Sequence, residues 1–217
     1  NANGTTSNKD IELYELKQNI NNGLDYTTVL INNVSQDLLI IHDGENVYKK
    51  SIKSRPDESY KCGSIVVWDN NNWLITKVDA DKDIYTEGEM ERCNYNLNFQ
   101  NANGNILTYP VVFKQNTGYL DTSNNNMITI VDGKCSIKCS LHSDIYENIS
   151  VGKRLIIDNR PNCKTPNVFK ISFIDTVTFN YNNDGIITIN LENDEFNSVT
   201  DSLEHWIADY KTVNIST

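Results

Sequence analysis

The sequence has little of what usually marks a nucleic-acid-binding protein. It contains 19 Lys and Arg against 29 Asp and Glu, which gives a formal net charge of −10 over 217 residues. A surface that binds nucleic acid needs clustered positive charge, and this balance argues against one. The closest grouping of basic residues consists of Lys49, Lys50, Lys53 and Arg55. We expect this group to lie on a solvated strand edge or loop.

Signatures of catalysis and of metal binding are also missing. The three histidines, His42, His142 and His205, are far apart and lack metal-ligand spacing. There is no glycine-rich phosphate loop, and no serine lies in a nucleophile-elbow motif. No apolar run reaches the length of a membrane-spanning helix. We therefore predict no catalytic residue, no cofactor-binding residue and no metal ligand, and interpret the protein as non-enzymatic and free of cofactors.

Cysteine is present, but in a pattern that predicts neither disulfides nor a zinc site. The five residues are Cys62, Cys93, Cys135, Cys139 and Cys163. Their number is odd and their spacing matches no known framework, so free thiols in a reducing cytosol are expected. Cys135 and Cys139 are four residues apart, which on a strand places them on one face as ordinary packing residues.

What the sequence does contain is a series of short apolar segments separated by turn residues. Asparagine runs occur at residues 70–72 and 124–126, and asparagine tolerates the left-handed backbone angles of tight turns. Four Asx-Gly pairs predict hairpin tips, namely Asp43-Gly44, Asn103-Gly104, Asp132-Gly133 and Asp184-Gly185. Ten or more strands follow from this pattern.

The two ends of the chain differ from this β pattern. Residues 1–9 are polar and are expected to form a loose lead or the remnant of a processed start. Residues 10–20 could form either a helix or a strand, because the spacing of their apolar residues matches neither the helical nor the strand period clearly. Near the other end, Asp201 is a plausible N-cap, and Leu203, Trp206, Ile207 and Tyr210 follow at spacings of three and four. This spacing predicts a short C-terminal helix whose Trp206 docks on the β body.

One segment recurs in a looser form about ninety residues later. Residues 63–79 read GSIVVWDNNNWLITKVD, and residues 152–175 begin GKRLIIDNR and end FKISFID. Their alignment matches Trp73 with Phe169, Ile75 with Ile171 and Asp79 with Asp175, and brings Gly88 near Gly185. A chance match of two generic hairpins is the alternative.

The repeat predicts a mainly β protein with two small β-barrel or sandwich-like modules and a short C-terminal helix. We place a polar lead and β segment at residues 1–53, the first module at 54–126 and the second module at 127–217.

Three groups of side chains near the first repeat could form a binding site, and each also has a purely structural interpretation. Asp79, Asp81 and Asp83 begin like a calcium loop, but Ile84 and Met90 stand where a glycine and a glutamate are needed. A solvated turn explains this run better. A second group, Glu87, Glu89 and Glu91, alternates along a predicted strand and forms either an exposed face or a docking stripe.

The third group is aromatic. Trp68 and Trp73 flank a predicted turn, and their packing across the hairpin is the expected role. A sugar-stacking platform near Tyr85 is the alternative, which would make the protein a carbohydrate-binding module or a glycan hydrolase. Binding to glycans or turnover of cell wall would separate these functions from a structural one.

Several segments together resemble one known group of proteins. They are WLITKVD, ERCNYNLNFQNANGNI, VGKRLIID, KISFID, NNDGIITINL and DSLEHWIADY, within residues 54–210. This pattern is similar to virion structural proteins of tailed bacteriophages from Gram-positive hosts, of the head–tail connector or neck type. The resemblance covers most of the chain, although its motifs are packing motifs.

The resemblance implies a non-enzymatic virion component that assembles in the host cytoplasm as a homo-oligomeric ring. Its expected partners are portal, connector, capsid or tail proteins, with no membrane and no specific nucleic acid among them. A capsid decoration or fibre-base protein is the nearest alternative, and copy number per particle would distinguish the two.

Overall fold

The computed structural model describes residues 8–212, except 24, 43, 45, 57, 80–83, 116–117, 123–125, 131–133 and 182–183. The chain divides into two compact units, Asn1–Arg92 and Cys93–Thr217. The described part is predominantly strand, as the sequence predicts, with two α-helices, α1 (Asn8–Gly23) and α2 (Ser143–Asn148). Residues 10–20, which the sequence left open, belong to helix α1.

The first unit is a closed antiparallel barrel of six strands. These are β1 (Thr27–Ile31), β2 (Val34–His42), β3 (Lys49–Ser54), β4 (Ile65–Trp68), β5 (Asn71–Asp79) and β6 (Glu87–Arg92). Their order around the barrel is β1-β2-β3-β6-β5-β4. Inward-facing side chains alternate with outward-facing ones, and Leu38, Ile52, Val66, Trp73 and Met90 are among the buried residues that fill the interior.

Asparagine-rich turns shape this barrel. Asn32 and Asn33, between β1 and β2, both have positive φ angles, of 49° and 68°. Asp69 and Asn70, between β4 and β5, have φ angles of 48° and 56°. Two-residue hairpin turns with positive φ at both positions match the twist of the flanking strands, and Asn and Asp adopt them more readily than other side chains. The hairpin tip predicted at residues 70–72 is confirmed at Asn70, and Asn32 and Asn33 form a second tip that was not predicted. Of the run at residues 124–126, the first two lie outside the described residues.

The second unit is built on one seven-stranded sheet and one separate hairpin. Its strands are β7 (Tyr95–Gln100), β8 (Ile106–Gln115), β9 (Gly118–Thr122), β10 (Asn126–Ile130), β11 (Cys135–Ser140), β12 (Arg154–Ile156), β13 (Val168–Asp175), β14 (Asn180–Tyr181) and β15 (Asp184–Asp194). The order of the sheet is β12-β13-β15-β11-β8-β7, with β14 paired to β15. Strands β9 and β10 pair with each other, and β11 pairs with β8 and β15. Strands β10 and β11 therefore do not form the hairpin predicted around Asp132-Gly133, and these two residues lie outside the described part of the chain.

The two units share one strand order and one local irregularity. If β7, β8, β11, β12, β13 and β15 are matched in chain order to β1–β6, both sheets follow the same path. Strand β5 has a bulge against β6 between Ile75 and Lys77, and β13 has one against β15 between Ile171 and Phe173. The bulged residues, Thr76 and Ser172, are the ones that the sequence repeat aligns.

The hydrogen bonds that begin the repeated hairpin are also equivalent. The backbone N–H of Gly63 donates to the Ile75 carbonyl at 2.8 Å, and the backbone N–H of Gly152 donates to the Ile171 carbonyl at 2.8 Å. Both glycines have positive φ, 85° and 88°, a conformation that disfavours other residues. The repeat at residues 63–79 and 152–175 is therefore a structural repeat. The predicted match of Gly88 with Gly185 is wrong. Gly88 pairs with Val78, whose equivalent in the second unit is Ile174, and Ile174 pairs with Ile189.

The predicted domain limits at residues 53/54 and 126/127 differ from the units that the structure shows. Strand β3, which spans the first limit, pairs with both β2 and β6 inside one barrel. Across the second limit, β8 pairs with β11. Sheet hydrogen bonding therefore joins residues that the sequence-based limits separate, and the division lies at residues 92/93.

The predicted C-terminal helix is also wrong. Residues 201–210 form turns with one antiparallel bridge between Ser202 and Ile207. Trp206 and Asp209 have φ angles of 57° and 51°, which a right-handed helix does not allow. The docking of Trp206 is confirmed, because its indole Nε1 donates to the Tyr95 hydroxyl at 3.0 Å.

Candidate functional site

The acidic stripe on β6 is matched by lysines from both neighbouring strands. Glu91 lies 3.3 Å from Lys49 and Glu87 lies 3.7 Å from Lys53, both on β3. Glu89 lies 3.4 Å from Lys77 on β5. A cavity of about 320 Å³ lies along this face and includes Gly88 and Asp79 in its lining. Because each carboxylate has a cation beside it, the stripe is a ladder of cross-strand ion pairs.

The basic grouping that faces this stripe is only partly solvated. Lys49, Lys53 and Arg55 form ion pairs on the outside, the last with Asp37 at 2.9 Å. The expected solvated position is wrong for Lys50. This residue is 6% exposed, and its ammonium lies 5.9 Å from the Trp73 ring centroid. Buried and partly exposed residues alternate along β3, and Lys50 is one of the buried ones, so its side chain points to the inner face.

Trp68 and Trp73 do not form an open platform. Trp73 is 4% exposed and belongs to the core of the first unit, and the two ring centroids are 5.5 Å apart. Trp68 packs against that core. The packing interpretation is confirmed, and the buried Trp73 has no open ring face for stacking on a sugar.

The remaining predicted positions do not converge on one site. Asp79 ends β5, while Asp81 and Asp83 lie outside the described residues. Among the described residues, no group of three or more His, Cys, Asp or Glu side chains is placed to hold a metal ion. Cys135 and Cys139 are buried on one face of β11, opposite Leu191 and Ile187, as expected for packing residues.

One polar cluster was not predicted, because its members come from distant segments. The Tyr109 hydroxyl on β8 donates to the Asp144 carboxylate at 2.6 Å and lies 3.2 Å from His142 Nδ1. Burial and the neighbouring Asp144 raise the pKa of Tyr109 to about 12. The backbone N–H of Asp144 donates to His142 Nδ1. This nitrogen is therefore an acceptor that caps α2, whereas an Asp–His dyad requires it to donate to the carboxylate.

The second unit also contains a polar cavity of about 350 Å³. Its lining comes from the end of β7 and the following turn, from the end of α2, from Lys153, and from residues 207–209 and 211. The Lys153 ammonium donates to the carbonyl oxygens of Asn148 and Gln100 at 2.7 and 3.2 Å. Burial and the charge of Lys211 lower the pKa of Lys153, while Asp209 opposes this effect.

This cavity was missed at the level of sequence, although the repeat contains a signal for it. The alignment of GSIVVW with GKRLII places Lys153 opposite Ser64. In the structure, Ile75 donates its N–H to the Ser64 carbonyl and Ile171 donates to the Lys153 carbonyl, both at 2.9 Å. The same backbone position therefore carries a small hydroxyl in one unit and a cation in the other.

The comparisons with known proteins bear mainly on the first unit. Residues 6–92 match the YomX N-terminal domain, and YomX is a gene product of a Bacillus phage of the SPBc2 type. No curated protein matches the chain. A solved structure of K. pneumonia MrkH in its apo state has 10% identity and a TM-score of 0.28, with 87% of each chain covered, a similarity too low to support an argument.

None of the helices in the described part of the chain has the length and apolar character that a membrane span requires. The match ends at residue 92, where β6 and the first compact unit also end. It therefore spans the whole closed barrel. The first unit is similar to a domain of a phage protein, which agrees with a phage origin for this chain.

Proposed function

We propose that this chain is a non-enzymatic structural component of a bacteriophage particle, a ring-forming head–tail connector or neck protein of the head-closure type. The observation that carries the proposal is the match of residues 6–92 to a phage protein domain over the entire first barrel. Its partners would be copies of itself and portal, connector, capsid or tail proteins, without specific nucleic acid binding.

Exposed apolar side chains at the edges of both units support a role in assembly. In the first unit, Val34, Val47 and Tyr48 are 68%, 67% and 61% exposed. In the second unit, Phe173, Val177 and Phe179 are 56%, 79% and 46% exposed. All but Phe173 lie in turns or next to them, and Phe173 lies beside the bulge of β13. These side chains are available to a neighbouring subunit.

The arrangement of the polar side chains supports a structural role as well. The carboxylates of β6 face lysines, and the Tyr109–His142–Asp144 cluster caps a helix. Neither group has the geometry of a nucleophile with its activating base. The buried Trp73 weighs against the carbohydrate-binding alternative, since stacking on a sugar requires an open aromatic face.

Reconstruction of the particle tests this proposal. We expect density for both units in the neck, at the few or dozen copies per particle that a ring contains. Copies in the hundreds on the capsid surface would instead identify a decoration protein, and density absent from capsid, neck and tail would overturn the proposal.

A matched pair of variants tests the contact surface. Val177→Asp should lower incorporation into particles at least tenfold, because it places a charge in the exposed apolar group of the second unit. Val199→Asp, at a valine that is 90% exposed on another loop, should leave incorporation unchanged. Equal incorporation of both variants would show that residues 173–179 do not form the contact.

A further inference from the structure

The cavity around Lys153 has walls that are fixed by hydrogen bonds. The Gln100 amide accepts from the backbone N–H of Lys211 at 2.9 Å and donates to the backbone carbonyl of Lys211 at 2.7 Å. Across the opening, the Asn148 side chain accepts from the backbone N–H of Ala102 at 3.1 Å. The turn after β7, the end of α2 and residues 207–211 are thus connected, and the cavity exists before any ligand enters.

The Lys153 ammonium has a third N–H beyond the two that bind these walls, and its nitrogen also lies 5.2 Å from the centroid of the Phe99 ring. An ammonium has three N–H groups, and two are used by the carbonyls of Gln100 and Asn148. Both partners are neutral, so they satisfy hydrogen bonds without neutralising the charge. Among the described residues, no carboxylate lies within ion-pair distance of Lys153, and Asp209 is already paired with Arg154 at 2.8 Å. A half-buried cation of this kind is stabilised by an added anion.

Comparison of the two units indicates that the fold does not require this lysine. The equivalent residue in the first barrel, Ser64, is 7% exposed and accepts from the Asn32 side chain at 3.2 Å. Its hairpin starts with the same glycine and the same backbone hydrogen bonds. In that unit a small polar side chain fills the position, whereas in the second unit a lysine and a cavity replace it.

We propose that this cavity is a binding site for a carboxylate group, held by the third N–H of Lys153 and by the Lys211 ammonium. The cavity is of the size that takes a small ligand or one side chain. Glu147 and Asp209 also line it, and they disfavour a doubly charged phosphate more than a singly charged carboxylate. The carboxylate belongs either to a free organic acid or to an acidic side chain of another protein, and the site is independent of the virion role.

Nuclear magnetic resonance of the full chain, labelled with ¹³C and ¹⁵N, tests the site. Acetate, succinate, N-acetyl-glutamate amide and inorganic phosphate are titrated at constant ionic strength with chloride as the balancing anion. We expect saturable shifts of the Lys153 ε-methylene group and of the backbone amides of residues 100–102 with the carboxylates. Tighter binding of the blocked glutamate identifies a protein side chain as the source, and tighter binding of succinate identifies a free acid.

The matched variants are Lys153→Ser, which restores the residue of the first unit, and Lys170→Ser, at an exposed lysine outside the cavity. Lys153→Ser should weaken carboxylate binding at least tenfold, and Lys170→Ser should leave it unchanged. Lys153→Gln retains a donor without charge and should also weaken binding. Unchanged binding in the two Lys153 variants, phosphate bound as tightly as carboxylate, or no saturable shift would each overturn the proposal.

Discussion

At the scale of single residues, Arg154 holds the end of the second unit against its sheet. Its guanidinium contacts the carboxylates of Asp194, Asp201 and Asp209, each at 2.8 Å, and donates to the Glu195 carbonyl. The Asp201 side chain is fully buried and also accepts from the backbone N–H groups of Asn197 and Asp209. Residues 195–210 therefore follow an irregular path whose polar groups converge on one cation.

Replacing Arg154 should strongly destabilise the second unit. Arg154→Met leaves the buried Asp201 carboxylate without its cation, and breaking a buried ion pair on one side costs about 3–5 kcal/mol. Asp209→Asn is the control, because that side chain is 51% exposed and should cost less than about 1 kcal/mol. Urea unfolding followed by Trp206 fluorescence, with Trp68 and Trp73 replaced by phenylalanine in all variants, measures both. A loss below 1 kcal/mol for Arg154→Met would contradict the role given to this network.

Asp158 makes the second unit sensitive to acid. Hydrogen bonds from the Arg160 guanidinium, together with backbone N–H groups of Arg160 and Asn167, hold the pKa of Asp158 far below its usual range against the opposing effect of burial. Since the unfolded pKa is about 4, the unfolded chain takes up more protons below that pH. The stabilisation is thus complete above pH about 4 and is lost as the pH falls further.

The measurement is the urea midpoint of the second unit between pH 6 and pH 2.5. In the native sequence the midpoint should fall below pH about 4. Asp158→Asn should lower the midpoint at pH 6 and flatten the acid dependence. Glu204→Gln, at an exposed carboxylate, should leave the profile unchanged, and an equally steep profile in Asp158→Asn would assign the acid effect to other groups.

At the scale of elements, β5 and the Tyr60 ring lie so close to Gly88 on β6 that no side chain fits there. A Cβ atom on Gly88 would lie 2.3 Å from the Lys77 carbonyl oxygen and 3.1 Å from the Tyr60 ring. The Tyr60 hydroxyl donates to the Ile52 carbonyl at 2.8 Å, which fixes the ring above Gly88. Gly88 therefore serves close packing of the barrel.

Gly88→Ala should consequently destabilise the first barrel by about 1–3 kcal/mol, the usual cost of overpacking a core. Gly44→Ala is the matched control, because a Cβ there meets no atom within 4 Å. Thermal unfolding of residues 1–92 compares the two. If both substitutions lower the thermal midpoint equally, the close approach of the Lys77 carbonyl to Gly88 does not exclude a side chain at that position.

The elements also show what local sequence determines. The Asn-rich turns and the repeat were predictable from local sequence. A positive φ favours Asn, Asp or Gly, and a strand with one buried face favours apolar residues at every second position. The C-terminal helix failed because Leu203, Trp206 and Ile207 keep helical spacing while Asp201 binds Arg154 instead of capping a helix. The cavity could not be predicted, since Lys153, Gln100 and Lys211 come together only through long-range hydrogen bonds.

At the scale of the whole molecule, one strand path is used twice with different surfaces. In the first copy, the residue after the bulge is Lys77, which pairs with Glu89. The equivalent residue in the second copy is Phe173, which is 56% exposed. The inner faces are mainly apolar in both copies, with Lys50 as an exception in the first, because core packing constrains them, whereas outer residues are free to differ. The two units therefore present different side chains at equivalent outer positions.

Residues 1–92 and residues 93–217 should fold separately. Each unit has its own sheet hydrogen bonding and its own buried core, which is the physical requirement for an independent domain. Expressed alone, each fragment should give a cooperative unfolding transition and an amide spectrum that overlays that of the full chain away from residues 90–95. A fragment cut at residue 126, inside the second sheet, should not fold, because β8 then loses β11 as its partner. Cooperative folding of residues 1–126 with a protected β7–β8 pair would instead support the limit at residue 126 over the one at residue 92.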